Sequence, residues 1–184
     1  MTRLKALNPE QATGKSKELF NAIESKLGMV PNMMRTMGNS SAFLEGYLNL
    51  SGALSKGTLG AKTGELIAIA VAESNSCDYC LSAHTYIGAN LVKINPEALS
   101  DARNGESIDL RIEAALRFAK TLIAKKGLVN DTDVNAIKNA GFTEGEIGEI
   151  IGHVGLNVLT NYFNNTAKTE IDFPVVEAHS AVTA

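Results

Sequence analysis

Glu65-Leu66-Ile67-Ala68-Ile69-Ala70-Val71-Ala72-Glu73-Ser74-Asn75-Ser76-Cys77-Asp78-Tyr79-Cys80-Leu81-Ser82-Ala83-His84 is the stretch on which the reading of this chain turns. Leu66 to Ala72 is apolar at every position, so a helix through it must be buried on most of its faces. Ser74-Asn75-Ser76 interrupts that run and offers side-chain oxygens suited to capping a new helix, which predicts a second one over 77–92. The only two cysteines of the chain, Cys77 and Cys80, open it, and one of three histidines, His84, follows a turn later. Offsets of three, four and seven share one helical face, so both thiols and the imidazole point the same way.

Outward from this stretch the pattern is helical throughout. Apolar spacing predicts helices over Gly14 to Leu27, closed by Gly28, and over Ser41 to Leu54. Gly57 and Gly60 mark the turn before the apolar helix, which starts near Ala61. Asn95-Pro96-Glu97 restarts helix with a cap, a first-turn proline and an early acid. Asp109 to Lys125 and Asp131 to Asn139 follow. Thr143-Glu144-Gly145-Glu146 has capping-box spacing and opens a long helix to about Asn165. No useful strand alternation occurs, so the fold class is all-α, a single domain over 1–184. Residues 174–184, with few periodic apolar positions, read as a loosely held tail. Met33, Met34 and Met37 form a short apolar turn, with core packing expected and a substrate-lining role as the alternative.

Composition narrows the function. A formal charge of −3 and an isoelectric point near 5.6 offer no basic surface for nucleic acid or anionic lipid. There is no Trp and the aromatic content is 5%, which argues against base stacking. The run Leu66–Ala72 is too short to span a bilayer, and Met1 to Pro9 holds no signal-like apolar core. The expectation is a cytoplasmic protein that binds neither nucleic acid nor membrane. In a reducing compartment a Cys-x-x-Cys is more often redox-active or metal-binding than a structural staple.

The chemistry of the stretch follows from its position. Unpaired N–H groups at the helix start favour thiolate over thiol, and a depressed thiol pKa makes cysteine nucleophilic near neutrality. His84 is placed to exchange a proton with Cys80. Glu65, in a buried helix, needs a partner, and a His–Glu pair would supply one while orienting the imidazole. Zinc is the rival, with Cys77, Cys80 and His84 completed by His153 or Glu65, although a second Cys knuckle is missing. Two plainly buried cysteines are the other rival. A thioredoxin-like arrangement lacks its βαβ pattern. His153 reads as a core or subunit-interface histidine, Glu73 as a cap or solvated acid, and Asn157, Asn161, Asn164 and Asn165 as polarity at a fraying end. His179 receives no role.

Glu65 followed by Cys77-x-x-Cys80-x-x-x-His84, behind the Leu66–Ala72 run, resembles the core motif of the AhpD-like alkyl hydroperoxidases of the carboxymuconolactone decarboxylase superfamily. The likeness is strong over residues 40 to 95 and weaker over the helix from Thr143. It implies an all-helical orthogonal bundle and a homo-oligomer, trimer or hexamer. It implies peroxide reduction with Cys80 attacking, Cys77 resolving, and His84 and Glu65 relaying protons. The resemblance also implies no bound cofactor or metal, but a dithiol co-substrate such as dihydrolipoamide, with a lipoyl-bearing protein or a peroxiredoxin as redox partner. Tyr79 stands where the best-known member has a histidine; its phenol is expected to donate a hydrogen bond to a thiolate or peroxide oxygen. Two alternatives remain: a decarboxylase or lactone-type enzyme of the same superfamily, and a redox-sensing oligomeric binding protein.

Overall fold

A computed structural model describes residues 1–179, and those residues hold nine helices and no strand. They are α1 (Gly14–Leu27), α2 (Asn32–Met37), α3 (Ser41–Leu54), α4 (Gly60–Ser74), α5 (Asp78–Asn90), α6 (Pro96–Asn104), α7 (Leu110–Ala124), α8 (Asp131–Asn139) and α9 (Glu144–Ala167). The all-α single bundle expected from periodicity is the fold observed.

Helix α4 is the axis of the bundle. It packs against α5, α6, α7 and α9, and Leu66 through Ala72 are all buried. Burying Leu66, Ile67 and Ile69 contributes about 2 kcal/mol each. The start of this helix has no side-chain cap of its own. The Glu149 carboxylate of α9 accepts instead from the backbone N–H of Thr58 (3.0 Å) and Leu59 (3.0 Å) and from the Thr58 hydroxyl (3.1 Å). Gly57 leaves room for that carboxylate, since a Cβ there would come within 2.5 Å of it.

The end of α4 corrects the sequence reading. Ser74-Asn75-Ser76 caps the helix it follows rather than the helix it precedes. Ser76 takes a left-handed backbone (φ 49°), its N–H donates to Glu73 O (3.1 Å), and the Cys77 N–H donates to Ala72 O (2.9 Å). This pair of bonds is the Schellman closure, made here with serine in glycine's usual place. Cys77 itself is the N-cap of α5, its sulfur accepting from the Cys80 N–H (3.4 Å). Two helices therefore meet almost without a linker.

The expected loose tail is also corrected for residues 174–179; residues 180–184 lie outside the described residues. The chain leaves α9 at Lys168 in left-handed conformation (φ 51°) and runs back across the ends of other helices. Asp172 accepts from Asn32 N at the start of α2 (2.7 Å). Farther on, the backbone N–H groups of Val176, Ala178 and His179 donate to Ser82 Oγ (2.9 Å), Asp78 Oδ1 (2.8 Å) and Glu73 Oε1 (2.7 Å). Backbone donors carry no apolar period, so periodicity cannot reveal such a strap. Glu73 is neither a helix cap nor solvated: Arg103 Nε donates to its Oε2 at 2.6 Å, and its side chain is only 11% exposed.

Removing Arg103 would leave Glu73 partly buried without its cation and would also cut the donor to Glu177 O. Arg103→Ala is expected to lower stability by about 2 kcal/mol, read as a reduced urea midpoint with an unchanged slope. A midpoint within error of the parent would show that the pair contributes nothing.

Candidate active site

The Schellman reversal after α4 fixes the two thiols. With Cys77 as N-cap, Cys80 is the third residue of the first turn of α5, and the Cys77 S–H donates to the Cys80 sulfur at 2.7 Å. Both cysteines are free thiols, Cys77 wholly buried and Cys80 2% exposed. Their environments differ. Cys80 lines a largely apolar cavity of about 280 Å³, whereas Cys77 lies behind it and does not reach that space.

His84, one turn farther along α5, also lines the cavity, as does Glu65 of α4. His84 Nδ1 and Glu65 Oε2 are 2.8 Å apart, the pairing the sequence predicts. Glu73, the other candidate carboxylate, is occupied by Arg103 and the strap.

The electrostatics oppose one another and have a clear outcome. Burial pushes the Cys80 thiol up. The hydrogen bond from Cys77, the His84 charge and the amides of Asn164 and Asn161 outweigh it, bringing Cys80 down to about 6. Cys77 moves the other way, because its proton is held between the two sulfurs and its surroundings are dry. Burial would lower the His84 pKa, but the Glu65 charge and hydrogen bond and the neighbouring Cys80 raise it overall. Both shifts favour a thiolate beside an imidazolium over a neutral thiol–imidazole pair.

Asn164 and Asn161 are site residues that sequence reading missed. Asn164 Nδ2 donates to Cys80 Sγ at 3.3 Å. The amide nitrogen of Asn161 has no other partner among the described residues, while its oxygen accepts from Asn75 Nδ2 (2.9 Å). Asn165 Nδ2 donates to Asn75 O (3.0 Å). These asparagines tie the α4–α5 reversal to α9 instead of fraying. Their signal was in the sequence: 157, 161 and 164 recur at helical spacing, and a buried amide requires a partner.

Tyr79 departs from expectation. Its hydroxyl accepts from Met33 N (3.1 Å), and its ring meets Phe173 edge-on, centroids 5.9 Å apart. Burial and the nearby Asp172 push the phenol up, away from acid–base work. Among the described residues it makes no hydrogen bond to either thiol, so it shapes the wall. Met33 and Met34 also line the cavity, and Met33 and Met37 are buried, so these methionines pack and line at once. His153 faces the cavity rather than a dry core. Among the described residues no three His, Cys, Asp or Glu side chains converge as metal ligands, and no helix is long and apolar enough to cross a membrane.

The result is an all-helical bundle built around a buried Cys-x-x-Cys, with a His–Glu pair on the same cavity wall. Residues 41–121 match the model of the Carboxymuconolactone decarboxylase family. The fold is shared with an uncharacterized peroxidase-related protein from Ralstonia eutropha JMP134, described as an alkylhydroperoxidase AhpD core. That similarity has a TM-score of 0.83 and 23% identity, covering 93% of this chain and 92% of that one. A peroxidase-related protein from Silicibacter sp. TM1040 is similar with TM-score 0.79 and 23% identity, over 92% and 94% of the two chains. The debrominase Bmp8, as a cysteine-to-alanine variant in complex with 2,3,4-tribromopyrrole, is similar with TM-score 0.77 and 18% identity, over 94% and 92%. No curated protein matches the chain significantly.

The amide from Asn164 should be measurable. Following iodoacetamide alkylation of Cys80 against pH, the parent midpoint is expected near 6. Loss of one hydrogen bond to a charged sulfur in Asn164→Ala should raise it by about one unit. An unmoved midpoint would remove Asn164 from the site.

Proposed function

We propose that this protein is a thiol-dependent hydroperoxide reductase, recycled by an external dithiol. The observation that carries the reading is the division of labour between the sulfurs. Only Cys80 faces the cavity, beside His84 and Glu65, and Cys77 waits 2.7 Å behind it.

The steps balance. Cys80 thiolate attacks the terminal oxygen of R–O–OH, the O–O bond breaks, and the alkoxide takes a proton from His84, giving ROH and a Cys80 sulfenic acid. Cys77 thiol condenses with it, releasing water and leaving a Cys77–Cys80 disulfide. A dithiol of the dihydrolipoamide type reduces that bond by exchange and becomes a disulfide itself. Glu65 holds His84 in orientation and favours its charged form. In this reading no cofactor or metal is bound, the protein works in the cytoplasm as a homo-trimer or hexamer, and a lipoyl-bearing protein or a peroxiredoxin is its redox partner.

The test is consumption of cumene hydroperoxide with dihydrolipoamide. Many turnovers are expected in the parent and none in Cys80→Ser, while Cys77→Ser should stop after one equivalent; turnover surviving Cys80→Ser would overturn the proposal. The pH profile should have two limbs. The rate rises as Cys80 ionises through about 6, and it falls at higher pH as His84, whose pKa is raised, loses its proton. Stoichiometric oxidation with a change of oligomer size would favour a sensor, and turnover of carboxymuconolactone a decarboxylase. Loss of bromide from a bromopyrrole with peroxide untouched would favour the chemistry named for Bmp8.

A further inference from the structure

His153 lines the same cavity as Cys80, Glu65 and His84, yet the reaction just described gives it no task. Its place beside Glu65 depends on Gly64, where a Cβ would lie 3.0 Å from the imidazole Cε1. The His153 carbonyl accepts from Asn157 Nδ2 (2.8 Å), but neither ring nitrogen has a hydrogen-bond partner among the described residues. The charged groups facing the ring are Glu149 on its own helix, Glu65 on α4 and His84 on α5. Burial prevails over the two carboxylates and, with the His84 charge, keeps the imidazole below its ordinary pKa and therefore neutral near pH 7.

A hydroperoxide carries one O–H donor into this space, and an unpaired donor there is costly. Glu65 is engaged by His84, Asn157 is engaged at His84 and at the His153 carbonyl, and Cys80 is the attacking atom. The hydroxyls of Tyr47, Ser51, Ser55, Tyr79 and Thr160 also reach the wall, but a hydroxyl oxygen is a weaker base than imidazole, and the neutral His153 ring is the strongest acceptor there without a hydrogen-bond partner among the described residues. We propose that His153 is the substrate-binding residue that accepts the hydrogen bond of the terminal O–H. It thereby holds the O–O bond in front of Cys80 while His84 serves the departing oxygen. The terminal oxygen keeps its hydrogen as the S–O bond forms, the electron pair of the O–O bond leaves on the alkyl-bearing oxygen, and His153 gains and loses no proton.

This inference rests on the peroxidase reading, and the experiment separates the two. His153→Phe fills similar space without an acceptor, and His153→Gln restores one. With cumene hydroperoxide, kcat/KM is expected to fall roughly three- to ten-fold in the phenylalanine variant, the worth of one neutral hydrogen bond. The rate at saturating peroxide and the Cys80 alkylation profile should hold, and the glutamine variant should recover most of the loss. In parallel, cumyl alcohol, which presents a hydroxyl and does not react, is titrated into parent protein carrying labelled histidine, and a shift of the His153 ring resonance is expected. Unchanged kcat/KM in a folded phenylalanine variant, or a loss accompanied by a displaced Cys80 profile, overturns the inference. Should that variant fail to fold, the glutamine variant and the alcohol titration decide it. Parent protein that turns over no peroxide defeats the peroxidase reading, and the titration alone then judges His153: a shift supports it and an unmoved resonance overturns it.

Discussion

The backbone bond from the Cys77 N–H to Ala72 O organises this protein. It closes the end of the central helix α4 and sets the first residue outside α5, leaving the two axes no freedom to separate. Because the same residue's sulfur caps α5, the geometry of a helix reversal and the geometry of a thiol pair are one object. Glu65, twelve positions earlier on α4, and His84, seven later, then face each other because the reversal folds their helices together. Serine at the left-handed position 76 carries a conformational cost that glycine would avoid. Asn75, bound from α9 by Asn161 and Asn165, helps hold the turn against that cost.

The site's charge balance shows why the surroundings must be rigid. A dry pocket alone would keep Cys80 protonated. What reverses this is a set of donors arriving from three directions: Cys77 ahead of α5, His84 along it, and amides from α9. Each interaction is modest by itself, and their sum exceeds desolvation only while all are aligned. That alignment depends on α9 lying along α4, and the Glu149 carboxylate that caps the start of α4 pins the other end of the same pair.

Much of this was legible in the sequence, for a local reason. Glu65, Cys77, Cys80 and His84 lie within twenty residues, so helical spacing alone puts them on facing surfaces, and the apolar run says which helix is central. The end of α1 and the starts of α6 and α9 follow from Gly28, Asn95-Pro96 and Thr143-x-x-Glu146, whose capping chemistry acts within a turn. What stayed hidden is long-range and polar. Asn164 reaches Cys80 across 84 residues. The strap after α9 is held by backbone donors, and Tyr79 is turned to Met33 by a fold contact. The spacing of the α9 asparagines was visible, but only the packing shows that they face inward.

The closeness of the two sulfurs bears on durability. An oxidised Cys80 has two fates: capture by a neighbouring thiol, or further oxidation to sulfinic acid, which is not recovered by simple thiol exchange. A reaction partner fixed at contact distance behaves as though present at many molar, far above any oxidant in solution. If Cys80 is oxidised as proposed, this arrangement favours the reversible branch over the one that ends the thiol's use.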